Sequence, residues 1–203
     1  MKTKFLSIAS ALLVLLFVST SSFAANNSKK VVTNLAEITT FSKIEVHGNV
    51  ELYVSTGSAN NVKVYDTYYD KNALVQEQNG VLRISSYRTE KLVVWVTAND
   101  LRAISAYDDA VVKSFGKLSS IDLDLKLDNN ATAQLDLDVN DANVVANGNA
   151  KASLSGYADQ SYVEVSPKAE VNNAKLTASV NIRKQIQIAA APKPQYDEFA
   201  GLY

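Results

Sequence analysis

The sequence predicts an all-β fold: a right-handed parallel β-solenoid of about 20-residue coils, closed at its N-terminal side by an antiparallel β cap. Three observations predict it. Hydrophobic residues from Phe41 onward alternate with a period of two, and no long amphipathic helix interrupts them. The second half of the chain repeats in frame at intervals of 21, 19 and 19 residues. Finally, the 203-residue chain contains no cysteine, so an exported chain must hold itself together by packing alone.

The first element is not part of the fold. Lys2 and Lys4 form a basic start, Leu6 to Val18 is an apolar run, and Ser22-Phe23-Ala24 places small residues at −3 and −1. Residues 1–24 therefore read as a cleaved signal peptide rather than a membrane anchor, since the last third of the uncharged stretch is rich in Ser and Thr. No Cys follows that would take a lipid. Residues 25–40 are a polar lead-in. No later segment is apolar enough to span a bilayer as a helix.

The cap is assigned to residues 41–100. Ile44 and Val46, then Val50, Leu52 and Val54, then Val62 and Val64 alternate with polar partners. Val81-Leu82-Arg83-Ile84 and Leu92-Val93-Val94-Trp95-Val96 are further strands. Gly48-Asn49, Ser58-Ala59-Asn60-Asn61 and Asn79-Gly80 supply turn chemistry between them, the last being a strong hairpin signal. Asp70 to Glu77 allows two helical turns at most.

The solenoid coils are assigned to residues 101–184. Ala110, Ala131, Ala150 and Ala169 mark the repeat. In that frame Ile104, Leu125, Val144 and Val163 superimpose, as do Ala106, Leu127, Ala146 and Val165, and Val112, Ala133, Ala152 and Val171. All are apolar and share the inward parity, and one such unit cannot bury its inner face without neighbours stacked about 4.8 Å away. Right-handed crossovers are expected of parallel connections. Evenly spaced hairpins of an antiparallel sandwich are the alternative arrangement. Residues 185–203 form a C-terminal tail or cap. There Ile182, Ile186 and Ile188 would cover the open end, Pro192 and Pro194 would block edge pairing, and Phe199, Leu202 and Tyr203 would fold back.

At this point a family likeness rests on specific residues. Phe41-Ser42-Lys43-Ile44-Glu45-Val46-His47-Gly48, Gly80-Val81-Leu82-Arg83-Ile84, Val94-Trp95-Val96-Thr97 and Leu101-Arg102-Ala103-Ile104-Ser105-Ala106 resemble, in pattern and order, the putative auto-transporter adhesin head domain called the GIN domain. The likeness covers about Phe41 to Lys184. It implies a secreted or envelope protein of a Gram-negative-type bacterium, strand-rich and without established catalytic residues. The chain departs from the family's Gly-Ser-Gly-like corners, which are here Tyr107-Asp108-Asp109, Asp128-Asn129-Asn130, Asn147-Gly148-Asn149 and Ser166-Pro167-Lys168. Pro167 cannot take a positive φ, so the last coil is expected to deviate. The family's final coil is replaced by Gln185 to Tyr203.

Composition excludes several chemistries. Without Cys there is no disulfide, thiolate metal site or thiol nucleophile, and one His leaves no multi-histidine metal site. Twenty basic against 21 acidic residues give no nucleic-acid footprint. Neither a Gly-x-Ser-x-Gly elbow nor a phosphate loop is present. The Asp108-Asp109 pair invites a glycosidase reading, but adjacent strand residues face opposite ways and no third group accompanies them. His47 reads as a surface residue at a strand end.

Two surface features remain. Asp122, Asp124, Asp128, Asp136, Asp138 and Asp141 stand against Lys126 between Leu118 and Ala150, an outward acidic face that suggests Ca2+, although a half-buried strand needs polar alternation anyway. The corner column of Tyr107, Asp108, Asp109, Asp128, Asn129, Asn130, Asn147 and Asn149 is the candidate ligand face. Amides and carboxylates beside an aromatic suit a glycan, while turn chemistry and stacking explain the same residues structurally. Tyr53, Tyr65, Tyr68, Tyr69 and Tyr87 make the first half tyrosine-rich, which suits recognition but also strands. The resulting expectation is an exported, non-enzymatic binding or scaffold protein, periplasmic, at the outer surface or extracellular. Its partner would be an envelope glycan or protein, and it would carry no resident cofactor. The alternatives are a carbohydrate-active enzyme and a self-assembling envelope protein.

Overall fold

The computed structural model describes residues 32–66, 73–86 and 88–186. The signal segment, Tyr68, Tyr69, Tyr87 and the tail from Gln187 lie outside them. Among the described residues twelve strands form: β1 (Val32–Asn34), β2 (Lys43–Gly48), β3 (Val50–Thr56), β4 (Asn61–Tyr65), β5 (Ala73–Gln78), β6 (Val81–Ser86), β7 (Leu92–Ala98), β8 (Ala103–Ala106), β9 (Val111–Leu127), β10 (Thr132–Ala146), β11 (Lys151–Val165) and β12 (Glu170–Gln185). No helix among them is long and apolar enough to cross a membrane.

The all-β expectation holds, but the right-handed parallel solenoid with an antiparallel cap does not. All twelve strands belong to one mixed sheet, curled into a half-barrel. The sheet runs β1-β4-β7-β3-β9-β8-β2-β6-β5, with β10, β11 and β12 added in turn from β9. Residues 41–100 are not an antiparallel cap either. β2 pairs parallel with β6 and β8, and β3 pairs parallel with β7 and β9. Antiparallel pairs are β1–β4, β4–β7 and β5–β6.

The cause of the discrepancy is turn chemistry. Asn79 (φ 55°) and Gly80 (φ 76°) do close the β5–β6 hairpin. Gly48 (φ 78°) bends the chain between β2 and β3, yet these two strands pair with other partners. A left-handed glycine marks a bend and does not say whether the flanking strands will meet.

The 19-residue repeat is a pairing register. Ala133 of β10 lies opposite Val112 of β9 and Ala152 of β11, and Val144 lies opposite Leu125 and Val163. Each inward residue thus stacks on its counterpart one strand away. Ile104, Val163, Ala106, Leu127 and Ala146 are wholly buried, as are the markers Ala110, Ala131 and Ala150. Ala169 is partly buried. The alanines sit one residue inside the corners, where a larger side chain would overpack.

The corners between these strands share one turn. The amide of each marker alanine donates to the carbonyl three residues before it, from Ala110 to Tyr107, Ala131 to Asp128, Ala150 to Asn147 and Ala169 to Ser166, at 3.1–3.2 Å. The second turn residue is left-handed three times: Asp108 (φ 60°), Asn129 (φ 62°) and Gly148 (φ 64°). Asp, Asn and Gly tolerate that region best. Pro167 occupies the fourth position and is not left-handed, so the fourth corner closes as a different turn with the same hydrogen bond.

At the far side of the sheet, the first half of β12 keeps Val171 and Leu176 buried, and its second half changes character. Arg183 takes the column of Leu125, Val144 and Val163, and Asn181 lies opposite Ser161. Arg183 Nη1 donates to the Val171 carbonyl at 3.0 Å, spanning the two wings of the curled sheet. Ile182, expected to cover this end, is instead 51% exposed on the outward parity.

Two variants test this architecture. Gly156 (φ 98°) has the Leu137 carbonyl where a Cβ would stand, whereas Gly80 has open space. Gly156→Ala should cost about 2–3 kcal/mol and Gly80→Ala about 1 kcal/mol, read by urea denaturation. Arg183→Leu should leave the fold intact but expose an apolar end, raising the mass measured by light scattering as concentration increases.

Candidate functional site

The predicted corner face is assembled in space, and its polar groups bond mainly to one another. Asn129 Nδ2 donates to Asp108 Oδ1 (3.2 Å), Asn130 to Asp109 (3.1 Å), Asn149 to Asn130 (3.1 Å) and Asn147 to Asp128 (2.9 Å). Each bond joins equivalent positions of neighbouring corners, so the column is a side-chain ladder along the sheet. Asp108 also accepts from the Gly48 amide at 3.1 Å, tying the first half of the chain to the repeat.

Tyr107 is covered on one side by His47, whose ring lies parallel at 4.5 Å. Lys126 Nζ sits 5.6 Å from the Tyr107 ring centre and 3.3 Å from Asp128. Asp128 first, and Tyr107 after it, hold the Lys126 ammonium above the ordinary lysine range. His47 is half-exposed and bonds Glu45 through Nε2 at 2.8 Å, consistent with a surface residue at a strand end.

The acidic residues do not gather in one place. Asp122 lies opposite Asp141, but Asp136 lies opposite Lys117 and Asp138 opposite Ser119. Asp124 accepts from Asn143 at 3.0 Å. Among the described residues no three acidic or His groups converge to hold a metal ion.

A second surface was read only in part from the sequence, which singles out Tyr53 and Tyr65 but not Trp95 or Phe115. On the outward face of β4, β7, β3 and β9 the aromatic residues stack. Tyr53 and Trp95 lie nearly parallel, centroids 4.7 Å apart, and Trp95 also meets Tyr65 at 6.3 Å and Phe115 at 5.2 Å, both tilted. Such offset and edge-on contacts suit the ring quadrupoles. Phe115, next to the left-handed Gly116 (φ 80°), is 64% exposed. Parity alone places Tyr53 and Trp95 outward; their contact comes from β3–β7 pairing across 42 residues of sequence, which no local signal reveals.

One edge of this strip is pinned by charge. Lys113 Nζ donates to Glu51 Oε1 at 2.6 Å, Tyr53 OH donates to the same oxygen at 2.9 Å, and Lys113 lies 5.6 Å from the Tyr53 ring centre. The hydrogen bond from Lys113 is the largest influence lowering the Glu51 carboxyl below 4.5, outweighing partial burial. A groove runs on from the strip, lined by Tyr53, Lys113, Phe115, Gln134, Asp136 and Ser155. A neighbouring groove continues past Thr132, Lys151, Ser153 and Asn172.

Comparison with known proteins gives one family and several solved structures of similar fold. The family model described as putative auto-transporter adhesin, head GIN domain, matches residues 40–187. The chain is similar to a putative adhesin from Bacteroides fragilis (TM-score 0.67, 17% identity, 78% of each chain covered). It is also similar to a putative adhesin from Parabacteroides merdae (TM-score 0.64, 14% identity, 78% of each chain). A putative lipid binding protein from Parabacteroides distasonis shares the fold at TM-score 0.56 and 10% identity, over 76% of this chain and 78% of that one. No curated protein matches.

Two outcomes follow from the geometry. Asp108→Ala should destabilise by about 1–2 kcal/mol through the left-handed turn and the lost Gly48 bond, and Asp108→Gly by less, since glycine keeps the turn. Paired melting curves separate the two contributions. Because the Glu51 pKa is lowered on folding, its contribution is complete above 4.5 and fades only as pH falls below it. Fluorescence of Trp95, the one tryptophan in the chain, should stay constant from neutrality to that point and change only in stronger acid. In Glu51→Gln the acid transition should vanish.

Proposed function

The chain belongs to the family of putative auto-transporter adhesins, head GIN domain, and from that premise we propose an exported, non-enzymatic, adhesin-like protein that binds an envelope component. Its principal contact is the aromatic strip of Tyr53, Tyr65, Trp95 and Phe115. The observation that carries this reading is the strip itself: Tyr53, Tyr65 and Phe115 packed around Trp95 on an outward sheet face, with Phe115 64% exposed.

Aromatic side chains cost little rotamer entropy on binding and dominate recognition surfaces. The corner column has the weaker claim, because its amides already donate to neighbouring carboxylates and amide oxygens. A ligand there would have to replace internal bonds before gaining its own. Support for the non-enzymatic part comes from the family, whose model is described as a putative adhesin head domain; in the strip, the Tyr53 hydroxyl and Lys113 are both engaged by the Glu51 carboxylate.

Co-sedimentation with isolated bacterial envelope fractions tests the reading. Trp95→Ala should weaken binding about 30-fold, the loss typical of a central aromatic anchor, and Asn129→Ala with Asn130→Ala should leave it nearly unchanged. Equal binding by folded Trp95→Ala and wild type would move the contact elsewhere.

A further inference from the structure

The aromatic strip is one end of a longer row. Through strand pairing, Lys63, Trp95, Tyr53, Lys113, Gln134, Ser153 and Asn172 lie side by side on β4, β7, β3, β9, β10, β11 and β12. All have the outward parity, and Gln134, Ser153 and Asn172 are exposed. The row therefore runs lysine, two aromatic rings, lysine, amide, hydroxyl and amide, its later members along the floor of the two grooves.

From this row we infer that the ligand is an uncharged linear polysaccharide lying across the strands, perpendicular to their direction. The inference rests on the strip being the contact face, and it names what the strip holds. Three features select this ligand. First, the exposed Phe115 ring and the outer edges of the Tyr53–Trp95 stack offer apolar contact to the C–H faces of pyranose rings, while amides and hydroxyls match their hydroxyl groups. Second, the row advances by one strand spacing, about 4.8 Å, close to the length of one pyranose in an extended chain, so each strand presents one side chain per sugar. From β7 to β12 this makes a track of about 24 Å.

The third feature is charge. Between β7 and β12 the two lysines lining the track are paired within the protein, Lys113 with Glu51 at 2.6 Å and Lys151 with Glu170 at 3.8 Å, while Lys63 stands outside that stretch, on β4. Paired charges leave no field to attract a polyanion such as an acidic glycan or an anionic lipid surface.

The test uses the whole mature chain and the fluorescence of Trp95. Probes are β-1,4-linked gluco- and manno-oligosaccharides of increasing length, with polygalacturonate and phosphatidylglycerol vesicles as charged alternatives. The expected result is a fluorescence change whose affinity rises with length, until about six sugars fill one strand each. It should be insensitive to salt and about tenfold weaker in Gln134→Ala and Asn172→Ala for long probes only. Both side chains are exposed, and because Asn172 also accepts the Ala174 amide at 3.1 Å, melting curves of both variants accompany the binding measurement. A signal from the charged probes alone, or equal affinity for a disaccharide and a pentasaccharide, overturns the inference. If no glycan responds while Trp95→Ala still loses envelope binding, the contact face stands and the polysaccharide falls.

Discussion

Everything in this fold depends on the parallel, in-register pairing of β9, β10, β11 and β12. A shift of one residue would turn every inward side chain outward, and here the columns are strict: Leu125, Val144 and Val163, or Leu127, Ala146 and Val165, occupy the same level on successive strands. Two constraints hold that register. The buried columns penalise any slip, and the corner turns with Asp108, Asn129 and Gly148 in the left-handed region return the chain at the same place each time. Buried area drives association of the strands, but the turns decide which residues face each other.

A register set from inside also fixes the outside. Once Val112, Ala133 and Ala152 are level, Lys113, Gln134 and Ser153 must be level too. Outward rows are thus a consequence of the core, and their chemistry is free to vary. In this molecule the two outer surfaces differ in how they use that freedom. At the corners, neighbouring amides and carboxylates bond to each other and strengthen the stacking. On the β7–β3–β9 face, rings accumulate and keep part of their surface available.

Much of this was legible in the sequence, for identifiable reasons. Strand parity, the hairpin at Asn79-Gly80 and the in-frame columns are local or periodic, and each appears in the structure. Partner choice in residues 41–100 was not legible. The pairing of β2 with β8 and of β3 with β9 spans about 60 residues, and alternation specifies a face without specifying a neighbour. The same gap hid the full aromatic strip. Tyr53 was visible as part of a tyrosine-rich half and Trp95 as a strand residue, but only the pairing of β3 with β7 brings the rings to 4.7 Å. The corner residues were correctly placed together, because their spacing is the repeat itself.

A sheet curled only part of the way round must also end, and the last strand shows how. Continuing the apolar columns into β12 would have presented a hydrophobic wall and a row of unpaired amides to any other chain. Instead the inward positions become Asn181, Arg183 and Gln185, and the Arg183 guanidinium reaches the Val171 carbonyl on the opposite wing. A charged group directed at the end of the core does not permit another strand to stack there without burying that charge, a cost of several kcal/mol. Among the described residues the period that builds the sheet is therefore broken on β12, by polarity on the inward face, after the outward row has extended as far as Asn172.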